Sequence, residues 1–355
     1  MRTGQSDQSD GSEPDSSAHV GRVRTLADLA RLAGVSAGTV SRALAGKSLV
    51  NTETRERIQA LAREHGFRPN QMASKLRSRR TGVIGVVIPL GHEKRQHISD
   101  PFFLTLLGHL ADELTESGYD LMLSRAIPDG TSDWLERMTR SGMVDGVLIM
   151  GQSDQFDIIE SVSRDYRPLV AWGARMDGQN HCVVGTDNVA GGRIAAEHLI
   201  AAGAGKLAFL GETKGIEIEE RYRGAAAAAD EAGVELVHVP ISLASDEMGP
   251  QIKAAMHHCD GGVNGVFAAS DLIAINVLNC LHEHGRKSPD DVQVVGFDDL
   301  PMAALTFPPL TSIRQEIGAG AKAMVERLMQ LIRGESADSL TMPPVLTARE
   351  TTRRF

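Results

Sequence analysis

Small and apolar residues recur at helical spacing through TLADLARLAGVSAGTVSRALAG, residues 25–46, interrupted once by Gly-Val-Ser. Leu26, Leu29, Ala30 and Ala33 fall at i, i+3, i+4 and i+7, which predicts one buried stripe on a first helix. Thr25 is suited to cap its start, and Gly34 can take the positive φ that ends it. Ser36 then caps a second helix on which Val40, Ala43 and Leu44 face inward, leaving Ala37, Gly38, Ser41 and Arg42 to face out. Asn51 opens a third helix with Ile58, Leu61 and Ala62 on its apolar side and Gly66 at its end. Three short helices around so tight a turn predict a helix-turn-helix DNA-binding domain, with the second helix placed to lie in the major groove.

Past residue 81 the period changes. VIGVVIP is a continuous β-branched run, FLTLLGHLADELTESG is helical and ends on Gly, and GYDLMLS is again a strand. The alternation continues through MVDGVLIM, RPLVAWG, AGGRIAAEHLIAAG, KLAFLG, RYRGAAAAADEAG, GVFAAS, DLIAINVLNCLHEHG and VQVVGFDD. Strands too continuous to alternate in polarity, separated by amphipathic helices, predict parallel sheets covered on both faces. The expected body is an α/β two-lobed domain of doubly wound parallel sheets, with a ligand cleft at the carboxyl ends of the strands.

Charge separates the two parts. Residues 25–80 hold 11 Lys/Arg against 4 Asp/Glu, whereas residues 81–355 hold 23 against 38 in a chain of net charge −9. A basic head on an acidic body is the footprint of a nucleic-acid reader joined to a sensor. Residues 1–24 are rich in Ser, Asp and Gly without an apolar run, so they read as a disordered tail rather than a signal peptide or membrane anchor. Cys182, Cys259 and Cys280 lack zinc-site spacing and, being odd in number, complete no disulfide framework; a reducing cytoplasm is the expected location.

The segments TLADLARLAGVSAGTVSRAL, TRERIQALAREHGFRPN, ASKL and TGVIGVVIP, in this order and spacing, resemble the LacI/GalR family of bacterial transcriptional regulators, and the resemblance runs almost to the C-terminus. It implies a hinge helix near Asn70–Ser78 that orders on DNA beside its dimer mate, with Leu76 as a wedge pushed into a minor-groove step. The domains expected are a tail at 1–24, the DNA-binding head at 25–69, a hinge at 70–80 and the effector and dimerisation body at 81–350. The expected DNA contacts are Thr25, Ser36, Ala37, Gly38, Thr39, Ser41 and Arg42 in the head, with Asn70, Lys75 and Leu76 in the hinge. The family pattern places Arg221 of an R-x-x-G element, Asp298 of GFDD, Ser270-Asp271, Phe102, Phe103 and Trp172 at the effector cleft, Trp172 as a plate for a sugar's C–H face.

The expected partners are therefore a near-palindromic double-stranded DNA operator, a small-molecule effector and a second copy of the chain, with no membrane and no cofactor. Acids beside a guanidinium suit vicinal hydroxyls, so a small carbohydrate is the expected effector and a nucleobase or nucleoside the alternative. A solute-binding protein is a further alternative, but it would need export and would not carry the basic head. HHCD at 257–260 and HEH at 282–284 fall on neighbouring helix positions that do not share a face, and no P-loop, HExxH or GxSxG motif is present, so no catalysis is expected. Two features depart from the family. Leu243-Ala244-Ser245 stands where many sugar-responsive members carry an aromatic, which leaves Trp172 to compensate, and no leucine heptad closes the chain, which favours a dimer.

Overall fold

The computed structural model describes residues 23, 25–44, 50–67, 80–89, 97–126, 133–152 and 154–354. The chain divides into two compact units, residues 1–79 and 80–355. Of the tail expected at 1–24, only Val23 is described, and it is buried in the head's core; the hinge positions Asn70, Lys75 and Leu76 lie outside the described residues.

In the first unit, α1 (Leu26–Ala33), α2 (Ala37–Leu44) and α3 (Thr52–Glu64) pack around Leu29, Val40, Ala43 and Ile58, all fully buried. Thr25 and Asp28 form a reciprocal capping box, with the Asp28 amide donating to Thr25 Oγ1 at 3.1 Å and the Thr25 amide to Asp28 Oδ2 at 3.0 Å. Gly34 ends α1 at φ 63°, a left-handed conformation that costs glycine nothing. Ser36 Oγ accepts from the Thr39 amide at 3.1 Å, and Asn51 Oδ1 from the Thr54 amide at 2.8 Å. Arg57 Nη2 donates to the Ala33 carbonyl at 3.0 Å and ties α3 to the end of α1. Val23, Val50 and Phe67, outside the helical stripes, close the core.

The second unit holds two six-stranded sheets. The amino-terminal lobe contains β1 (Val83–Pro89), β2 (Asp120–Ala126), β3 (Gly146–Met150), β4 (Leu169–Trp172), β5 (Cys182–Thr186) and a late strand, β11 (Leu340–Met342), in the order β11-β5-β4-β3-β1-β2. The carboxyl-terminal lobe contains β6 (Lys206–Leu210), β7 (Glu235–Val239), β8 (Gly265–Ala268), β9 (Gln293–Asp298), β10 (Thr311–Arg314) and β12 (Val345–Thr347), in the order β12-β10-β9-β8-β6-β7. Every described pairing is parallel except β10 with β12. Six of the seven β1 residues are buried, as a strand covered on both faces requires.

Helices α4 (Pro101–Glu116), α5 (Trp134–Arg140) and α6 (Phe156–Asp165) belong to the first lobe. The chain crosses after β5 into α7 (Asn188–Ala201), and α8 (Ile216–Ala232), α9 (Ser245–Ala255), α10 (His257–Asp260) and α11 (Asp271–Glu283) follow. It crosses back after β10 into α12 (Ile317–Ile332), whose Ile317, Ala321, Met324 and Leu328 join the first lobe's core, and crosses a third time between β11 and β12. Strand order reverses between β1 and β3 in one sheet and between β6 and β8 in the other, the two crevices where doubly wound sheets admit ligands. None of the described helices is long and apolar enough to cross a membrane.

Candidate functional site

Strand ends from both lobes converge on a cleft of about 710 Å³, its open mouth included. On the carboxyl-terminal side, Arg221 projects from the second turn of α8. The R-x-x-G spacing has a packing cause: a Cβ on Gly224 would strike the Val189 carbonyl of α7, and one on Gly192 of α7 would strike the Arg221 carbonyl, so paired glycines let α8 lie close against α7. Arg221 is 8% exposed. Its Nε donates to Asn188 Oδ1 at 2.9 Å, its Nη1 to the Ala269 carbonyl at 2.6 Å, and its Cζ lies 3.7 Å from the Phe297 ring centroid. The guanidinium is thus fixed over an aromatic face at the cleft wall.

Asp298, at the end of β9, is 3% exposed and places Oδ1 4.0 Å from Arg221 Nη1. Its backbone sits at φ 110°, a conformation a non-glycine residue rarely holds unless its surroundings impose it. Gln315 Nε2 fixes the carboxylate by donating to Oδ1 at 2.7 Å. Burial pushes the Asp298 pKa up to about 7 even though Arg221 and Gln315 pull it down. Burial likewise presses the Arg221 pKa down while Asp298 holds it up. A ligand hydroxyl donating to Asp298 would restore the hydration that its carboxylate lost on folding.

The amino-terminal side is apolar. Phe102 and Phe103, half-buried at the start of α4, line the cleft with Pro89, Met150 and Trp172. Trp172 corrects an expectation: it reaches the cavity but is 3% exposed, and a Cβ on Gly320 of α12 would collide with its ring. It backs Phe102, whose ring centroid is 6.0 Å away, so Phe102 rather than Trp172 offers a face. Leu243, which stands where many members carry an aromatic, lines the cleft as well.

Asp271 is a second correction. It does not line the cleft: fully buried, it accepts from the Leu300 amide at 2.7 Å and from Ser312 Oγ at 2.6 Å, bracing the turn after β9. Burial, with the Asp298 charge adding to it, raises its pKa well above the ordinary aspartate value. Ser270 does line the cleft while its Oγ accepts from the Ile273 amide at 3.3 Å as the cap of α11.

Four residues escaped the sequence reading. Asp100 and Glu217 add carboxylates to the cleft wall, and Asn188 and Gln315 hold Arg221 and Asp298 from the first and second interlobe crossings. Among the described residues, no group of three His, Cys, Asp or Glu is placed to hold a metal ion.

Two profiles match the sequence: bacterial regulatory proteins of the lacI family over residues 25–70, and a periplasmic binding protein-like domain over residues 196–352. The chain is 30% identical to a ribose operon repressor of Halalkalibacterium halodurans, over 93% of its own length and 97% of the relative's. The chain belongs to the LacI family. The structure of a CelR transcriptional regulator in complex with cellobiose aligns at TM-score 0.65 and 28% identity over 92% of this chain and 99% of that one. A LacI-family regulator from Enterococcus faecium with bound ribose aligns at TM-score 0.66 and 27% identity over 76% and 98%.

In the LacI-type head, Gly38 and Arg42 are exposed, while Ala37, Thr39 and Ser41 are half-buried. Ala37, expected to face out, rests part of its methyl on the core because it opens the helix directly after the turn. The Thr25 hydroxyl is engaged with Asp28 at 2.8 Å, and Ser36 Oγ with Thr39 Oγ1 at 2.9 Å, so both first serve to fix the helix starts. Arg42 Nε donates to the Gly38 carbonyl at 3.0 Å, which lays the side chain along the outer face of α2.

Proposed function

We propose that this LacI-family chain is a cytoplasmic, non-enzymatic repressor that reads a near-palindromic operator as a homodimer and responds to a small carbohydrate. The observation that carries the ligand reading is the opposition, across one cleft, of aromatic faces at Phe102 and Phe103 to the buried Arg221–Asp298 pair. A sugar ring has both an apolar C–H face and a fringe of hydroxyls, and it satisfies both walls at once. A relative named as a ribose operon repressor and the solved complex of CelR with cellobiose support the same class. The homodimer is supported by an apolar tip on the loop after β9, where Leu305 is 84% and Phe307 98% exposed.

The geometry suggests how sensing reaches DNA. Arg221 is bonded to Asn188 on one interlobe crossing and Asp298 to Gln315 on another, so a ligand that engages the pair biases the angle between the lobes. The hinge at 70–80, with Asn70, Lys75 and Leu76, is the proposed receiver, and Gly38, Ser41 and Arg42 the proposed readers of base edges. The test is a thermal-shift screen of sugars and nucleobases on the full-length protein, followed by operator binding with and without the hit. A sugar that raises Tm and weakens operator binding supports the proposal; stabilisation by nucleobases alone refutes the carbohydrate assignment.

A further inference from the structure

The body begins at residue 80, and Thr81 and Gly82 are then held by a single side chain. Asp145, the residue before β3, accepts at Oδ1 from the Thr81 amide at 2.6 Å and from the Thr81 hydroxyl at 3.0 Å, and at Oδ2 from the Gly82 amide at 2.8 Å. Main-chain bonds close around this grip: the Asp145 amide donates to the Val83 carbonyl at 2.8 Å, and the Asp120 amide, opening β2, to the Gly82 carbonyl at 2.9 Å. Gly82 stands at φ 67°, the left-handed turn that aims the chain into β1. Tyr166, which follows α6, lies near enough for the Asp145 charge to add to burial in pushing its pKa up to about 12, so the phenol beside the carboxylate stays neutral.

Strand β1 does not need this grip for its own pairing. Its seven residues pair with β2 and four of them with β3, whereas Thr81 and Gly82 lie ahead of both ladders. Bonds from amides to a carboxylate are charge-assisted, and three donors on one carboxylate make a firm fastening. The fastening also sits at the far end of the strands that build the ligand site. β1 runs from it to Pro89, and β3 to Met150 and Gly151, all of which line the cleft. At about 3.3 Å per residue these are struts of roughly 23 and 17 Å. All five β3 residues and six of the seven in β1 are buried, and so closely packed an interior passes a displacement on rather than absorbing it.

We propose that Asp145 is a positioning residue for operator binding and its control by ligand. Its carboxylate fastens the end of the linker to the amino ends of β1 and β3, so that a shift of the cleft strands reaches the linker instead of being lost in slack chain at Thr81 and Gly82. The inference rests on the repressor reading above and gives it a point of attachment on the body.

The test uses full-length protein, an operator that the wild type selects from a random duplex pool, and D-ribose and cellobiose as sugars. Asp145→Asn keeps the shape but turns an NH2 group toward one of the two backbone amides, so that one of them loses its acceptor. Operator affinity is expected to fall about tenfold, and the effect of an active sugar on operator binding at least about threefold. Affinity for an unrelated duplex should hold within about twofold, because the phosphate contacts of the head are untouched. Tm and calorimetric sugar affinity should hold as well. Thr81→Val removes the hydroxyl donor and leaves both amides; it is expected to act in the same direction by about threefold, and it serves should Asp145→Asn fail to fold. Should neither sugar act on the wild type, operator affinity and Tm decide. A folded variant with wild-type operator affinity overturns the proposal, and so does a loss of operator affinity matched by a parallel loss of Tm and sugar affinity, which is what a merely structural role predicts. A wild type that selects no sequence from the pool overturns the repressor reading itself.

Discussion

The two lobes of the body are built on the same doubly wound plan, yet their cleft walls differ in kind. The amino-terminal wall offers area, through Phe102, Phe103, Met150 and Pro89, whereas the carboxyl-terminal wall offers directed bonds, through Arg221, Ser270, Glu217 and Asp298. Neither wall alone describes a ligand. Apolar area without bonds is indifferent to orientation, and a buried ion pair without area gains little over water. Together they demand an amphipathic ring, and only an arrangement that brings the lobes near each other satisfies both.

The contrast can be broken most forcefully at its buried residues. Arg221→Ala strands Asp298 without its cation and should cost the body about 3–5 kcal/mol in denaturant unfolding while abolishing ligand stabilisation. Trp172→Ala should cost a similar ~3–5 kcal/mol through the cavity it leaves against Gly320 and Phe102. A wild-type unfolding midpoint for either would show that the wall is not packed as described.

A pH experiment sharpens the difference next. Because burial lifts the Asp298 pKa from 3.8 to about 7, the folded body holds a proton that the unfolded chain releases at lower pH. Its contribution to stability is complete below pH 4 and is lost as pH rises toward 7, on the order of 4 kcal/mol at most. Tm of ligand-free protein followed across that window should fall for this reason, and Asp298→Asn should flatten the slope. An identical slope in the variant would assign the titration elsewhere.

Smaller effects belong to the exposed face and to the crossings. Phe102→Ala should weaken sugar binding about tenfold, roughly 1.4 kcal/mol, with little change in unfolding, the reverse of Trp172→Ala. Gln315→Ala should leave affinity within about threefold but reduce the ligand's effect on operator binding below the roughly 5-fold floor usual for allosteric coupling. Binding isotherms with and without ligand separate the two variants. Full coupling in Gln315→Ala would mean that the signal does not pass through that crossing.

The head and the cleft were legible in the sequence to different depths. Caps and stripes are local, so Thr25, Ser36, Asn51 and the Leu29–Val40–Ile58 core followed from spacing, although Val23, Val50 and Phe67 did not. Arg221 and Asp298 stand at recognisable ends of helix and strand motifs. What the residues touch was not legible, because it depends on segments far apart in the chain. Asp271 turns to Ser312, Trp172 leans on Gly320, and Glu217 reaches Gln152 across the lobes. Helix α12 and strands β10 to β12 were also missing from the expected alternation, although they carry the chain between the lobes.

Those late elements bear on how the protein is made. The first lobe lacks α12 and β11 until the ribosome has translated the whole run from Asn188 to Arg314, which builds most of the other lobe. At 5–20 residues per second that delay is on the order of ten seconds, during which β5 presents an unpaired edge and the face that α12 will cover lies bare. Among the described residues, the head's core is complete at Phe67. A nascent repressor is therefore able to fold the unit that reads DNA well before it completes the unit that reports on sugar, and chaperone capture during translation should concentrate on the lobe that is started first and finished late.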